Sequence, residues 1–433
     1  MKSKWKTFLL NDFAESIRGV SYKPHELLKG YECDAVTLLR STNIQNHVLT
    51  FNELQFVPRT IVGEKQLCKY KDIIMCMSNG SKALVGKTAQ FKFESQNFTC
   101  GSFCSILRSH EEKNANFVFV LVNSDSFLKQ LDVTLSGSAI NNLQNSQVDK
   151  FSFVLPEEIQ EQQHIADILT SCDEVIEQTE KAIAKYQAIK TGMLQDLFTR
   201  GVDANGKLRP TPEEAPELYK DSPLGKIPNE WDIQSLGEIT TKVGSGITPT
   251  GGESVYKKSG IMFLRSQNIL RNEFDLADVA YIDEATDNKM LNSRVFFADV
   301  LLNITGASIG RCVCFDMEKS ANVNQHVCII RLADNDIYNA KLLSQFINSE
   351  WGISQINRLI SGGNREGLNY EQVRAILFFN IPDNNDECKQ ILFRLSAIDE
   401  KISFEKQTLK KYISIKQGLM KRLLTPPEGA LEA

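Results

Sequence analysis

The chain is 433 residues long, more than one compact domain holds, and at roughly 100 to 200 residues per domain it should contain two or three. Hydrophobic residues make up 42% and charged residues 24%, the balance of a soluble globular protein rather than a disordered, collagen-like or membrane chain. The net charge of -5 excludes a global basic surface of the kind that marks many nucleic-acid binders, so any such surface must be local.

The N-terminal stretch MKSKWKTFLLNDFAE meets Asn11 and Asp12 before an apolar signal core can form, and no apolar run approaches the roughly 18 to 20 residues that span a bilayer. The chain is therefore read as cytoplasmic, with no membrane partner. Its ten cysteines are spread out without Cys-x-x-Cys spacing and read as reduced thiols. None of His25, His47, His110, His164 and His326 completes a zinc-finger pattern, so no metal site is expected.

In the first half, residues 34–40, 72–77, 102–108 and 151–155 are strand-like and 115–130 reads as a helix. The stretch from Gly80 to Gly86, followed by Lys87 and Thr88, imitates a phosphate-binding loop. It has five residues between its glycines where four are needed, and AQFKFESQNF then alternates like a strand instead of opening a helix. Nucleotide binding is not expected there.

Residues 156–200 carry the most regular pattern. Ile165, Leu169, Cys172, Ile176, Thr179, Ile183, Tyr186, Lys190, Met193 and Leu197 follow alternating steps of four and three, the seam of a coiled coil. The segment 201–230 collects Gly, Pro and acidic residues with no apolar periodicity, as an exposed linker does. In the second half, 261–265, 299–304, 311–315, 326–332 and 376–381 are strand-like and 338–350 is helical. A second seam follows in 383–425: Ile391, Leu395, Ile398, Ile402, Glu405, Leu409, Tyr412, Lys416, Leu419 and Leu423. Residues 426–433 are a tail.

The two seams match position for position at a spacing of about 226, including the polar breaks Thr179/Glu405 and Lys190/Lys416. Elsewhere Trp5 returns as Trp231, Leu39–Ile44 (LRSTNI) as Leu264–Ile269 (LRSQNI), and FSFVLP ending at Pro156 as LFFNIP ending at Pro382. A period this long means a duplicated domain, not a solenoid. Domains 1–155 and 231–382 are thus two copies, each followed by a long helix. A helix of about 40 residues is roughly 60 Å long and cannot bury its seam alone. The expected fold is mixed α/β: two repeated α/β domains separated by a pair of long antiparallel coiled-coil helices with pseudo-two-fold symmetry.

Catalytic signatures are missing. There is no Gly-x-Ser-x-Gly elbow, no His-Glu-x-x-His, no dinucleotide fingerprint and no Asn-Pro-Pro-aromatic motif; the only Pro-Pro, at Pro426 and Pro427, lies in the tail. The chain is read as noncatalytic.

Two diverged domains with two nearly superimposable helices resemble the specificity (S) subunit of type I restriction-modification systems, over essentially the whole chain. The most specific pieces are Leu224-Gly-Lys-Ile-Pro-Asn-Glu-Trp231 and Ile-Lys-x-Gly-(Met/Leu) at 189–193 and 415–419. The resemblance implies that each target-recognition domain reads one half of a split, asymmetric double-stranded DNA site. It further implies that the helices hold the domains apart and dock two methyltransferase (modification) subunits, which restriction subunits join. S-adenosylmethionine, ATP and Mg would belong to those partners, with no cofactor on this chain. Two other readings stay open: the recognition subunit of a related system outside type I, and a coiled-coil protein-binding adaptor.

Base edges are read by Arg, Lys, Asn, Gln, Ser and Thr on well-held elements, and phosphate by backbone and polar loops. One candidate set is Arg40, Ser41 and Asn43 with Arg265, Ser266, Gln267 and Asn268, for which a buried, hydrogen-bonded strand end is the bland alternative. A second is Ser78, Asn79, Ser81, Lys82 and Lys87 with Thr305, Ser308 and Arg311, which could equally be ordinary polar turns. The third, favoured because divergent loop tips suit recognition, is Ser138, Asn141 and Asn142 with Gly363, Asn364 and Arg365. The glycine-bearing stretches from Gly19 and Gly244 read as turns.

Overall fold

The computed structural model describes residues 4–30, 34–94, 97–137, 141–361, 367–382 and 386–427. Ser138, Gly363, Asn364 and Arg365 lie outside them. The chain divides into two compact units, Met1–Lys181 with Lys406–Ala433, and Ala182–Glu405.

In the first unit a four-stranded antiparallel sheet runs Ala14–Arg18, Cys104–Ser109, Ile73–Cys76, Thr88–Gln90. The unbroken apolar run of Ile73–Cys76 follows from burial on both faces. Ile73 and Met75 join one core cluster with the helices Ala115–Leu121 and Asp125–Ser136, while Ile74 and Cys76 join another under a second sheet. That sheet, Gln55–Pro58, Ala35–Leu39, Phe98–Cys100, contains a parallel pair in which Thr37 faces Phe98. Trp5–Leu9 pairs with Ser152–Pro156 and leads the chain into the first long helix, Ile159–Arg200.

The second unit repeats this plan. Its main sheet runs Thr240–Ser245, Val327–Leu332, Val300–Asn303, Cys312–Cys314, and its second sheet contains the parallel pair Ile261–Leu264 and Ala321–Val323. Asp232–Ser235 pairs with Leu377–Asn380, and the second long helix is Asp386–Leu423. Even a buried ion pair is duplicated. Arg108 grips Asp72 through Nε–Oδ1 at 3.0 Å and Nη2–Oδ2 at 2.7 Å, and Arg331 grips Asp299 at 2.7 Å through both contacts.

Each unit also holds an antiparallel pair of segments from the long helices. In the first, Lys416 Nζ meets Asp173 Oδ1 at 2.5 Å, and Leu419, Met420 and Leu423 pack on the cluster of Ile165, Ala166 and Leu169. In the second, Lys190 Nζ meets Asp399 Oδ1 at 2.6 Å, while Leu197 and Phe198 share a core with Cys388, Ile391 and Leu395. Every seam residue is buried or half-buried. A fully buried leucine such as Leu169 or Leu395 contributes about 2 kcal/mol through apolar area alone.

Three differences from the sequence reading have local causes. The helix read as 115–130 is two, Ala115–Leu121 and Asp125–Ser136, because Ser124 turns its hydroxyl to the Phe127 amide and caps the second. The helix read as 338–350 likewise gives way to Ile337–Ile347 and Glu350–Ser361. The segment 201–230, expected as an exposed linker, is folded into the second unit. It contains the hairpin of Tyr219–Ser222 and Gly225–Pro228, and buries Val202, Tyr219 and Ile227. Glu387 is its anchor, accepting from Val202 N at 2.8 Å, Arg209 Nη1 at 2.5 Å and the indole of Trp231 at 3.2 Å.

Candidate nucleic-acid interface

In each unit the loops at one end of the main sheet are stitched together by hydrogen bonds. In the first, Asn79 donates from Nδ2 to Ser41 Oγ at 3.3 Å and from its amide to Asn141 O at 3.3 Å, while its Oδ1 accepts from Ser81 N at 3.0 Å. Asn141 donates to Gly80 O at 3.1 Å, and Ser78 bridges to Asn142. Ser41, Ser78, Asn79, Ser81, Asn141 and Asn142, far apart in sequence, therefore share one polar surface.

The second unit builds the same frame with other side chains. Thr305 bridges to Gly367, and Asn303 donates to Ser266 O at 2.9 Å. Thr305 Oγ1 lies 2.5 Å from His326 Nδ1, His326 Nε2 lies 3.1 Å from Gln325 Nε2, and Thr248 donates to Gln325 Oε1. Asn303 is fully buried and its Oδ1 has no hydrogen-bond partner.

Other candidates are placed elsewhere. Asn43 and Asn268 are each only 1% exposed. Asn43 spends its amide nitrogen on Thr50 O and Asn52 O, Asn268 on Asp275 O and Asp278 O, and both carboxamide oxygens cap the amide of the preceding arginine. They hold a turn as buried, hydrogen-bonded strand ends and leave no donor for a base. Arg40 and Arg265 repeat one geometry. Nη2 donates to a backbone carbonyl, Glu53 O or Asp278 O, at 3.0 Å in both, and a buried Nε has no partner. Arg265 and Gln267 are further tied to the Asp278 carboxylate.

Lys82 reaches Asp132 at 2.7 Å and Ser136 at 2.9 Å and stays on the surface. Lys87 leaves the loop cluster and lines a cavity of about 1490 Å³ in the first unit, together with Lys92, Lys129, Lys416 and several acidic groups of the first long helix. Ser308 closes a short turn by accepting from the Arg311 amide at 3.1 Å; Arg311 is half-buried. After Lys87 the chain enters the strand Thr88–Gln90, so no helix terminus faces a phosphate. Gly86, with φ of 84°, leaves no room for a Cβ, which would stand 2.3 Å from Leu131 Cδ2.

Sequence reasoning missed Asn303, Thr248, Gln325 and His326, and also Phe103, on the turn before Cys104–Ser109, whose carbonyl accepts from the amides of Met77 and Ser78. The signal was hidden by drift of the repeat. Strand Val300–Asn303 lies 227 residues after Ile73–Cys76, but Val327–Leu332 lies 223 after Cys104–Ser109, so Phe103 and His326 do not align at a fixed spacing. Among the described residues no group of three or more His, Cys, Asp and Glu converges on a metal-sized site, and no helix is long and apolar enough to cross a membrane.

The sequence model of the family described as the type I restriction modification DNA specificity domain matches residues 2–186. Over 390 residues the chain is 30% identical to the type I restriction enzyme StySPI specificity subunit of Salmonella potsdam, covering 87% of this chain and 79% of that one. It is 26% identical over 299 residues to the EcoKI specificity subunit of Escherichia coli K12, covering 68% and 60%. Its fold is similar to the crystal structure of a type I restriction-modification S subunit from M. genitalium, with a TM-score of 0.58 at 13% identity over 98% of this chain and 96% of that one. The duplicated α/β frame, the paired seams and this likeness over most of its length agree: the chain belongs to the family of type I restriction-modification specificity subunits.

Proposed function

We propose that the chain is the sequence-reading subunit of a type I restriction-modification complex, binding double-stranded DNA at a split, asymmetric site. One observation carries the reading. Two loop clusters share a backbone frame but present different side chains, Asn79 and Asn141 in one unit, Thr305, Gln325 and His326 in the other. A common frame with unlike tips is what reading two different half-sites requires, because frame contacts position and tip contacts specify.

In this reading the chain performs no chemistry. It binds and orients the duplex, and two methyltransferase subunits docked on the long helices methylate the chosen site. Restriction subunits join this core, and restriction follows where the site is unmodified. S-adenosylmethionine, ATP and Mg are held by those partners, and the complex works in the cytoplasm. The continuous helices Ile159–Arg200 and Asp386–Leu423 each pass from one unit into the other, so they are the elements able to set half-site spacing.

The test is methylome sequencing of a host that expresses this chain with its methyltransferase. A bipartite motif with unlike halves is expected, along with duplex binding that weakens steeply with salt as counterions are released. No motif, and no duplex affinity in the presence of the methyltransferase, would favour the protein-binding adaptor instead.

A further inference from the structure

In the first unit the turn between strands Phe98–Cys100 and Cys104–Ser109 carries Phe103, whose side chain is left 67% exposed. The backbone beneath it is held from two sides. Phe103 O accepts from Met77 N at 2.8 Å and Ser78 N at 3.1 Å. On the other side Gly19 packs so close that a Cβ there would stand 2.2 Å from Gly101 O.

The second unit has the same clamp. His326 O accepts from Ile304 N at 3.0 Å, and a Cβ on Gly246 would stand 1.7 Å from Val323 O. What differs is the tip. His326 is half-buried in the relay Thr248, Gln325, His326, Thr305, whereas Phe103 leaves a bare aromatic ring exposed. An exposed aromatic on a turn held from two sides is presented to solvent at a fixed place. Its polar counterpart on an equally rigid turn marks the same point of the frame as the place where the two units diverge.

We propose that Phe103 and His326 are equivalent specificity-determining residues. Phe103 reads an apolar base edge, the 5-methyl of a thymine, in one half-site, and His326 with its relay reads the corresponding position of the other half-site by hydrogen bonding. The proposal rests on the DNA-reading function above. Aromatic contact with a thymine methyl and hydrogen bonding to polar edges are the two ways a major groove is told apart. A pre-held turn delivers either contact without ordering cost.

The experiment uses the full chain in its methyltransferase complex, selected against random duplexes and sequenced, for wild type, Phe103→Ala, Phe103→Leu and His326→Phe. Phe103→Ala is expected to lower discrimination at one base position of one half-site by about tenfold, with the other half-site as in wild type. Phe103→Leu should retain part of that preference. His326→Phe should alter only the other half-site. Replacing the preferred thymine by deoxyuridine should weaken wild type and leave Phe103→Ala indifferent.

Unchanged preferences in all three variants with duplex binding intact would overturn the proposal while the DNA-reading function stood. So would full wild-type affinity for the deoxyuridine duplex, or loss of all duplex binding by both Phe103 variants. A wild-type complex that selects no motif would overturn the function and the proposal together.

Discussion

Lys190 Nζ stands 2.6 and 2.8 Å from the two carboxylate oxygens of Asp399, and Gln345 Nε2 donates to the same carboxylate at 3.1 Å. The pair is built twice, since Lys416 and Asp173 sit at the matching places of the other unit. A lysine in an apolar seam costs stability, and an ion pair across the seam offsets that cost while selecting one register. With lysine side chains 17% and 16% exposed and aspartates about a third exposed, these pairs lie between surface and core.

Lys190→Ala should therefore destabilise the second unit by about 1 kcal/mol, above an ordinary surface pair and below a buried one. The exchange Lys190→Asp with Asp399→Lys should recover most of the loss. Hydrogen exchange of amides in 182–200 reads the effect, and full protection in the single variant would contradict the pairing.

Glu387 is a stronger case, because its carboxylate and the guanidinium of Arg209 are both only 14% exposed and Trp231 is fully buried beside them. Glu387→Ala leaves Arg209 buried with only the Glu230 carboxylate, 4.0 Å away, and should cost about 3 kcal/mol. The fold of 201–230 should loosen first, seen as a red shift of tryptophan emission and protease cleavage within that segment.

Burial pushes the thiols of Cys314, Cys328 and Cys388 up to about 12. The thiolate is the reactive form, so at pH 8 these groups should resist alkylation in the folded protein and react once it unfolds. Among the described cysteines Cys172 alone is not buried, and mass spectrometry should find it modified first.

Insertion of one heptad into each long helix keeps the seam in phase and adds about 10 Å, or about three base pairs at 3.4 Å per step. The methylated motif should gain a longer spacer with both half-sites unchanged. An unaltered spacer would remove the helices as the measuring element.

Much of the architecture was legible because a coiled-coil seam loses phase on any insertion that is not a whole heptad. Ile165 and Ile391, or Lys190 and Lys416, therefore keep one spacing of about 226 throughout both helices. Short strands were less legible. Ala280–Ile282 and Ala321–Val323 have three residues each, too few for alternation to register, and they exist because neighbouring strands supply hydrogen-bond partners.

The amino-acid order alone determined the duplication, the two seams and their polar breaks, since these depend on local periodicity along one helix. Which polar residues face outward was decided only by tertiary structure. Asn43 and Asn79 look alike in the chain, yet one is walled in by carbonyls of its own turn and the other joins loops from three regions. Phe103 lies in the stretch 102–108 that reads as a strand, yet it sits on the turn ahead of Cys104–Ser109 with its ring in solvent. Exposure is a property of what packs around a residue, and that is assembled from segments the sequence holds far apart.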